Sequence, residues 1–212
     1  MSTLENFGWQ DSSPVFYHKY LFGPIESLLP KDGSPILDVG CGNGYLANEL
    51  IDKGYSVYGI DISEDGIKIA NKKNKGHFFV SDAESGVLPE PLKDICFTTI
   101  ISTEVIEHLY NPESYVKMIS AILRENTTKK GEKGVFIVST PYHGYLKNLM
   151  LAVCNKMDYH YSALWVGGHI KFWSKKTIYT LLNNAGFREF QFKGVGRFPY
   201  LWRHMIIRCK IK

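Results

Sequence analysis

The sequence predicts an α/β fold with one mostly parallel sheet and helices on both of its faces. Short apolar runs alternate with segments of helical periodicity along the chain, an order that is typical of βαβ units. The stretch "ILDVGCGNGYLANEL", residues 36–50, joins an apolar run, a glycine-rich turn and a helix-like segment. A turn of this kind at the start of a helix is how several folds build a nucleotide site.

Each predicted element rests on a local signal. The strands are short apolar runs bounded by turn residues, and the helices carry apolar residues at intervals of three and four. Pro112 stands in a first helical turn and Gly186 ends the last helix, which are positions that these residue types favour. The predicted strands cover residues 36–40, 56–61, 77–81, 95–102, 134–140, 187–195 and 204–211, and the predicted helices cover residues 45–53, 64–73, 112–125 and 175–186.

The end of the chain departs from this alternation. The last two predicted strands, 187–195 and 204–211, follow one another with only the turn-rich "GRFPYLWR" between them. A connection without a helix is typical of antiparallel neighbours. We therefore expect an antiparallel, hairpin-like end on an otherwise parallel sheet.

Length and composition fit one domain. The chain has 212 residues, of which 44% are hydrophobic and 22% charged, which are ordinary values for a globular protein. Its first residues show no leader-peptide pattern and no stretch approaches about 18 consecutive apolar residues, so the expected location is the cytoplasm. The four cysteines make no C-x-x-C pair, which predicts neither a zinc site nor a disulfide framework.

The glycine-rich turn does not have the spacing of a dinucleotide site. Tyr45 stands where the third glycine of the pattern G-x-G-x-x-G would fall. Asp38, two residues before the first glycine, would repel a pyrophosphate seated at the helix N-terminus. A cofactor with a cationic group would be stabilised by the same carboxylate. S-adenosylmethionine is such a cofactor, because it carries an ammonium and a sulfonium and no phosphate.

Two further acids follow neighbouring strands. Asp61 ends the second strand, about twenty residues beyond the turn, where an acid can accept hydrogen bonds from both ribose hydroxyls. Asp82 follows the third strand and is placed to accept from the adenine amino group. The alternative for both is an ordinary role in capping turns. Together with Asp38 these acids predict one cofactor site at the carboxyl edge of the sheet.

The segments "ILDVGCGNG", "YGID", "SDAE", "ISTEVIEHLYNPESYV" and "GVFIVSTP" together resemble the class I S-adenosylmethionine-dependent methyltransferases, from Pro35 onward. The resemblance implies a Rossmann-like sheet of seven strands in the order 3-2-1-4-5-7-6, with the seventh strand antiparallel. It also implies S-adenosylmethionine as cofactor and S-adenosylhomocysteine as product. The cofactor-binding residues that it implies are Asp38, Gly40, Cys41, Gly42 and Gly44 around the methionine part, Asp61 on the ribose, Ile62, Asp82 and Ala83 at the adenine, and Thr103 at the end of strand four.

The resemblance also suggests how the domain is divided. A single methyltransferase domain is expected, with an N-terminal helical lid, a cofactor-binding core, a substrate-side insertion and a closing helix with strands. These parts cover residues 1–34, 35–140, 141–170 and 171–212. The oligomeric state stays open.

The predicted reaction is methyl transfer to a small molecule, with a hydroxyl oxygen of an aromatic, lipid-linked or sugar metabolite as the favoured acceptor. The chain is most similar in pattern to the quinone-pathway O-methyltransferases, which favours His169 as general base, with His143 second. Either histidine can instead hold a loop by bonding to backbone. Glu104 and Glu107 with His108 suggest a metal site, but no metal is expected, because Glu104 and His108 at helical i, i+4 spacing are too few ligands.

The insertion and the charge distribution suggest a further partner. The segment "YLKNLMLAVCNKM" is amphipathic, and ten Lys or Arg residues stand against one acid from Trp165 to the end. Peripheral contact with an anionic membrane is therefore a hypothesis, and a solvated basic face is its alternative.

Other functions remain open as alternatives. Methyl transfer to nitrogen or carbon, or a module that binds the cofactor without turnover, would use the same cofactor residues. A nucleic-acid substrate is not expected, because no second domain is present to hold a duplex and "STEVIEH" replaces the proline-rich motif of the amino-group methylases. The loop spacing and Asp38 oppose a dehydrogenase.

Overall fold

The computed structural model describes residues 8–85, 87–131, 133–161, 163–165 and 167–212, so residues 1–7 of the predicted lid lie outside the described residues. The described residues form eight α-helices and seven strands. In chain order these are α1 (His18–Glu26), β1 (Ile36–Val39), α2 (Tyr45–Asp52), β2 (Val57–Asp61), α3 (Glu64–Ala70), β3 (Phe78–Val80), α4 (Glu90–Lys93), β4 (Thr99–Thr103), α5 (Pro112–Lys130), β5 (Val135–Pro141), α6 (Tyr145–Val153), α7 (Met157–Tyr161), α8 (Lys175–Asn184), β6 (Phe187–Val195) and β7 (His204–Ile211).

The seven strands make one sheet in the order β3-β2-β1-β4-β5-β7-β6. The pairs from β3 to β5 are parallel, and β7 runs antiparallel to both β5 and β6. The predicted Rossmann-like order and the antiparallel end are therefore confirmed. The sheet order changes direction beside β1, where β1 pairs with both β2 and β4.

Helices cover both faces of the sheet and bury two apolar clusters. Leu37 and Val39 of β1 belong to one cluster, with residues of α5 and α8, and Ile36 belongs to the other, with residues of α1, α2 and α3. This alternation follows from the two-residue period of a strand. It explains why β1 is apolar throughout except at Asp38. A buried carboxylate in a central strand therefore needs a functional explanation.

The two largest differences from the predicted boundaries are at the start of β4 and at the end of α5. Strand β4 begins at Thr99 rather than at residue 95, because the preceding residues turn out of α4, with the Ile95 amide donating to the Leu92 carbonyl over 3.2 Å. Helix α5 extends to Lys130 and ends on Gly131, whose φ of +74° is the left-handed conformation of a helix C-cap. The predicted insertion forms α6 and α7. Within the described part of the chain, no helix combines the length and apolar character needed to cross a bilayer.

Candidate active site

The crevice at the carboxyl ends of β1, β2, β4 and β5 brings the sequence-predicted residues together. Open α/β sheets bind ligands at this edge, beside the point where the strand order changes direction. Asp38 lies in β1, Asp61 ends β2, Thr103 ends β4 and His143 follows β5. Residues far apart in the chain therefore lie along one edge of the sheet.

The turn after β1 requires glycine for steric reasons. Gly40 has a φ of +80° and Gly44 a φ of +74°, both in the left-handed region that favours glycine. A Cβ atom at Gly40 would lie 2.3 Å from the Val105 side chain, and one at Gly44 would lie 2.4 Å from Cβ of Ala70. A side chain at either position would push the turn away from the loop after β4 or from α3.

Asp38 is a buried carboxyl group whose hydrogen-bonding capacity is unsatisfied among the described residues. Asp38 is only 1% exposed, and neither of its carboxylate oxygens has a hydrogen-bond partner among the described residues. Burial, together with the nearby Asp61 carboxylate, raises the pKa of Asp38 to about 8. A cationic group beside it would restore the charged form. The residues present therefore fit a cofactor with an ammonium and a sulfonium.

Asp61 connects β2 to the glycine-rich turn. One of its carboxylate oxygens accepts from the Gly42 amide over 2.7 Å, and the other accepts from the Ser63 amide over 2.8 Å. Burial raises the pKa of Asp61, and these two hydrogen bonds act in the opposite direction. Each oxygen keeps a second lone pair that is able to accept a ribose hydroxyl.

The remaining predicted cofactor residues differ in how far they reach the crevice. The Cys41 thiol is buried and burial raises its pKa, Thr103 is buried, and Ile62 is half-buried. Asp82 is exposed, and its side chain accepts from the Glu84 amide over 2.8 Å, which caps a short 3-10 helix over residues 83–85. Ala83 packs against the edge of the apolar cluster around β4 and α5. The adenine roles of Asp82 and Ala83 stay predictions.

Trp9 covers the glycine-rich turn. A Cβ atom at Gly42 would lie 2.5 Å from the indole ring, and one at Gly66 would lie 3.0 Å from it. The Asn43 side-chain amide donates to the backbone carbonyls of Asp11 over 2.8 Å and of Ser13 over 3.0 Å. These bonds hold the N-terminal segment across the turn. The following helix α1 instead packs against α2, β6 and β7.

The loop after β4 forms a second polar group with the segment before α8. The Glu107 carbonyl accepts from the amides of Ile170 over 2.9 Å and Lys171 over 3.0 Å, which brings His169 to the buried Glu107 side chain. The distance from His169 Nε2 to Glu107 Oε1 is 4.0 Å. Burial lowers the pKa of His169 to about 4, so its imidazole is neutral near pH 7, and burial raises the pKa of Glu107 well above its ordinary value.

The same group offers ligands for a metal ion, which the sequence analysis did not expect. One donor atom from each of Glu107, His108 and His169 lies within 4.8 Å of the others. Two histidines and a carboxylate suit a divalent transition metal. The predicted helical pairing of Glu104 with His108 is wrong, because residues 104–109 form bends and turns.

Glu104 has another role. Its carboxylate accepts from the Ser139 hydroxyl over 2.8 Å and lies 2.8 Å from His204 Nδ1. Glu104 has a φ of +56°, which is a strained conformation for a residue with a side chain. Backbone strain of this kind often marks a functional site. Here it directs the Glu104 side chain at β5 and β7, below the crevice.

A protein-family model matches the part of the chain that carries Asp38, Asp61 and His169. The model described as "Methyltransferase domain" matches residues 16–189, which is most of the chain. The chain belongs to this methyltransferase family. The family match, the relatives and the fold together identify it as an S-adenosylmethionine-dependent methyltransferase.

Two curated relatives carry the same name. A ubiquinone biosynthesis O-methyltransferase from Pelagibacter ubique is 31% identical over 181 residues, which cover 76% of this methyltransferase and 70% of the relative. One from Ralstonia nicotianae is 25% identical over 210 residues, which cover 93% and 83% of the two chains.

Solved structures share the fold. A Pyrococcus horikoshii protein superposes with a TM-score of 0.69 at 21% identity, over 96% of this methyltransferase and 95% of that chain. The magnesium protoporphyrin IX methyltransferase of Synechocystis, solved with S-adenosylhomocysteine bound, superposes with a TM-score of 0.60 at 19% identity. That alignment covers 85% of this chain and 76% of the other.

Sequence reasoning missed several residues of the site. It weighed Glu107 only as part of a metal motif, and it gave Trp9, Lys147 and His204 no individual role. A tryptophan ahead of a glycine-rich turn and a lone lysine in an apolar helix are weak signals by themselves. Their positions depend on contacts between distant segments. His143 was predicted, and it is buried with both ring nitrogens unpartnered among the described residues.

Proposed function

We propose that this methyltransferase uses S-adenosylmethionine to methylate a hydroxyl oxygen of a small aromatic, lipid-linked or sugar acceptor. The observation that carries the cofactor half is Asp38, a buried carboxylate without a partner beside a turn of obligatory glycines. The pairing of neutral His169 with buried Glu107 supports an acceptor that loses a proton. The Pelagibacter and Ralstonia relatives are named as O-methyltransferases, which agrees with an oxygen acceptor.

The residues divide the work of the reaction. The bound cofactor supplies an activated methyl group on a sulfonium, so that most of the acceleration can come from alignment. His169 takes the hydroxyl proton on Nε2, because its lowered pKa leaves that nitrogen free at neutral pH. The Glu107 carboxyl group lies 4.0 Å from this nitrogen and, once ionised, stabilises the imidazolium that forms. His143 is the second candidate for the base.

The alternatives keep the same cofactor site. A divalent ion held by Glu107, His108 and His169 would serve the same reaction by binding the acceptor oxygen as its anion. Transfer to nitrogen or carbon, or cofactor binding without turnover, needs neither a base nor a metal at this position. An acceptor screen with radiolabelled methyl groups separates these alternatives by the product formed.

We infer that the N-terminal segment is a lid over the cofactor, with Trp9 as its contact residue. Because the indole lies against Gly42 and Gly66, the cofactor either displaces it or packs under it, and in both cases its surroundings change. We expect S-adenosylhomocysteine to change the tryptophan fluorescence of the protein. Trp9→Phe should lose most of that change, and Trp202→Phe, a replacement in the connection between β6 and β7, should keep it. A full change in Trp9→Phe would contradict the lid.

Peripheral membrane contact remains a prediction, and the outer face of α6 supports it. Tyr145 and Val153 are 83% and 74% exposed on this short helix, and Lys156 follows it. At low salt we expect flotation with vesicles containing phosphatidylglycerol and none with pure phosphatidylcholine. Val153→Glu should reduce flotation, whereas Val87→Glu, at another exposed apolar position outside α6, should not. No flotation of the unmodified protein would end the hypothesis.

The first test of the proposed function is calorimetric titration with S-adenosylhomocysteine, with NAD as the control ligand. Micromolar binding of S-adenosylhomocysteine alone is the expected result. Binding of NAD, or of neither compound, would contradict the proposed cofactor. The acceptor screen then follows on the protein that binds.

A further inference from the structure

Helix α6 buries a charge and exposes its apolar residues. Lys147 is the buried residue of α6, at 6% exposure, whereas Leu146, Leu149 and Met150 are partly exposed to solvent. An amphipathic helix ordinarily has the opposite arrangement. Burying an ammonium costs several kcal/mol unless partners compensate it. The position of Lys147 therefore calls for a compensating group.

The partners of Lys147 within the protein are carbonyl groups. Its Nζ donates to the Tyr142 carbonyl over 2.7 Å and to the Arg203 carbonyl over 3.4 Å. An ammonium has three N–H donors, so one remains for a further acceptor. Among the described residues no carboxylate lies within ion-pairing distance of Nζ, and the nearby Glu104 is already engaged by Ser139 and His204.

The surroundings add positive charge rather than removing it. Burial, with Arg197 and Arg203 close by, lowers the pKa of Lys147 to about 8, so the side chain is still largely charged at pH 7. Two histidines face the same space, with ring centroids 5.3 Å apart, and burial lowers the pKa of His143 to about 3 and of His160 to about 4. Both histidines are neutral at pH 7. Of these five side chains, Lys147, Arg197 and Arg203 are therefore the ones that carry a charge.

Polar atoms without partners surround this charge. Within the described residues, the buried nitrogens that lack a hydrogen bond include both ring nitrogens of His143, Nε2 of His160, Nε1 of Trp173 and Nε of Arg203. Trp173 and Arg203 are tied to this region through their backbones, because their carbonyls accept from the amides of His143 and Tyr142. The Arg203 guanidinium is engaged elsewhere, because it lies over the rings of Phe16 and Tyr20, 4.9 Å and 5.6 Å from their centroids. The third N–H of Lys147 and the ring N–H of neutral His143 therefore offer hydrogen bonds for which the described residues supply no acceptor.

We propose that Lys147 binds a carboxylate on the methyl acceptor, so that the substrate is a hydroxylated acid rather than a neutral alcohol or phenol. This inference rests on the proposed function, whose acceptor side it specifies. A carboxylate offers several lone pairs to the Lys147 ammonium and its neighbouring N–H groups, together with a single negative charge. It would hold the acceptor by the end opposite the reacting hydroxyl. Lys147 is thus a specificity residue, and His169 keeps the role of base.

The experiment compares two probes, 3,4-dihydroxybenzoate and 3,4-dihydroxybenzyl alcohol. They differ only in whether the ring carries a carboxylate or a neutral hydroxymethyl group. Each is titrated calorimetrically into the protein with and without S-adenosylhomocysteine. We expect the unmodified protein to bind the acid at least about tenfold more tightly than the alcohol. Binding of both probes equally, or of neither, would overturn the proposal.

Variants assign the preference to Lys147. Lys147→Met removes the charge with a side chain of similar length, and Lys147→Gln also keeps a donor for the Tyr142 carbonyl. Both should reduce the preference for the acid to within about twofold while S-adenosylhomocysteine affinity is retained. Lys156→Met, an exposed lysine just beyond α6, should keep the full preference. A tenfold preference that persists in folded Lys147→Gln would show that the lysine only ties two backbone segments together.

The two proposals fail in different ways. Loss of S-adenosylhomocysteine binding in the unmodified protein would contradict the proposed function, whereas the probe pair without cofactor still decides the role of Lys147. Thermal melts of each variant confirm that it is folded. Lys147→Met removes a buried ammonium together with its hydrogen bonds to the Tyr142 and Arg203 carbonyls. Its melting temperature should not fall, because the cost of burying the ammonium offsets the gain from those bonds.

Discussion

Asp38→Asn should weaken the binding of S-adenosylhomocysteine at pH 8 by at least about thirtyfold, or roughly 2 kcal/mol, the low end for removing one partner of a buried charge pair. The change keeps the size of the side chain and removes the negative charge that faces the ammonium. Calorimetric titration measures the loss directly. Asp61→Asn is the matched control, because its carboxylate is proposed to bind ribose hydroxyls rather than a cation.

The pH dependence distinguishes the two acids. Because the pKa of Asp38 is about 8 in the free protein and a bound cation would lower it, the affinity should fall as the pH decreases below 8, by up to about tenfold per unit. Asp38→Asn should remove most of this slope. Asp61→Asn should lower the affinity at every pH and keep a slope, displaced to lower pH because the Asp61 carboxylate helps to raise the pKa of Asp38. A flat profile in the unmodified protein would contradict the proposed role of Asp38.

Stability should show the opposite trend. The folded protein holds the Asp38 proton more tightly than the unfolded chain, whose aspartates titrate near pH 4. The free energy of unfolding therefore decreases as the pH rises from about 4 to about 8. Urea denaturation of the unliganded protein at several pH values measures this. The difference between the unmodified protein and Asp38→Asn isolates the contribution of Asp38 from those of Asp61 and Glu107.

His169→Ala should lower turnover about a hundredfold or more while S-adenosylhomocysteine affinity stays unchanged, since the ring is proposed to move a proton and not to bind the cofactor. Glu107→Gln should cause a smaller loss, because it removes a carboxyl group that can ionise beside the imidazolium and keeps the base. His77→Ala is the control, because His77 packs on Tyr58 and bonds to the Val57 carbonyl outside this polar group. Steady-state kinetics on the first acceptor found in the screen provides the measurement.

Two further results separate a base from a metal ligand. Added imidazole should restore part of the activity of His169→Ala if the side chain acts as a base. Treatment with a chelator should leave the unmodified protein active in that case. Loss of activity on chelation, restored by a divalent ion, would assign Glu107, His108 and His169 to a metal site instead. Full turnover in His169→Ala, with no effect of imidazole or of the chelator, would make His143 the candidate base.

The cofactor half of the site was the more predictable half. Asp38, Gly40 and Gly44 stand together in one strand–turn–helix unit, and Asp61 follows the next strand of a parallel sheet. Local periodicity predicts such strands, and the topology of a parallel sheet then brings their carboxyl ends together. Asp82 shows the limit of this reasoning, because a carboxylate after a strand also caps a short helix, which is its contact in the structure.

The acceptor half depended on contacts that no local pattern encodes. His169 meets Glu107 only because the loop after β4 accepts two backbone hydrogen bonds from the segment before α8. The helical spacing expected for Glu104 and His108 failed because the chain turns after β4, with Glu104 in a strained conformation between β5 and β7. Tertiary packing decided both outcomes.

The sequence by itself determined the fold class and, through the family resemblance, the strand order, because both depend on short-range periodicity and on residues adjacent to strand ends. Only the tertiary structure decided that Trp9 covers the glycine-rich turn, that His169 pairs with Glu107, and that Lys147 is buried. Burial and pairing of these side chains depend on which distant segments pack together. Amphipathic pattern alone would have placed Lys147 in solvent and the apolar face of α6 in the core.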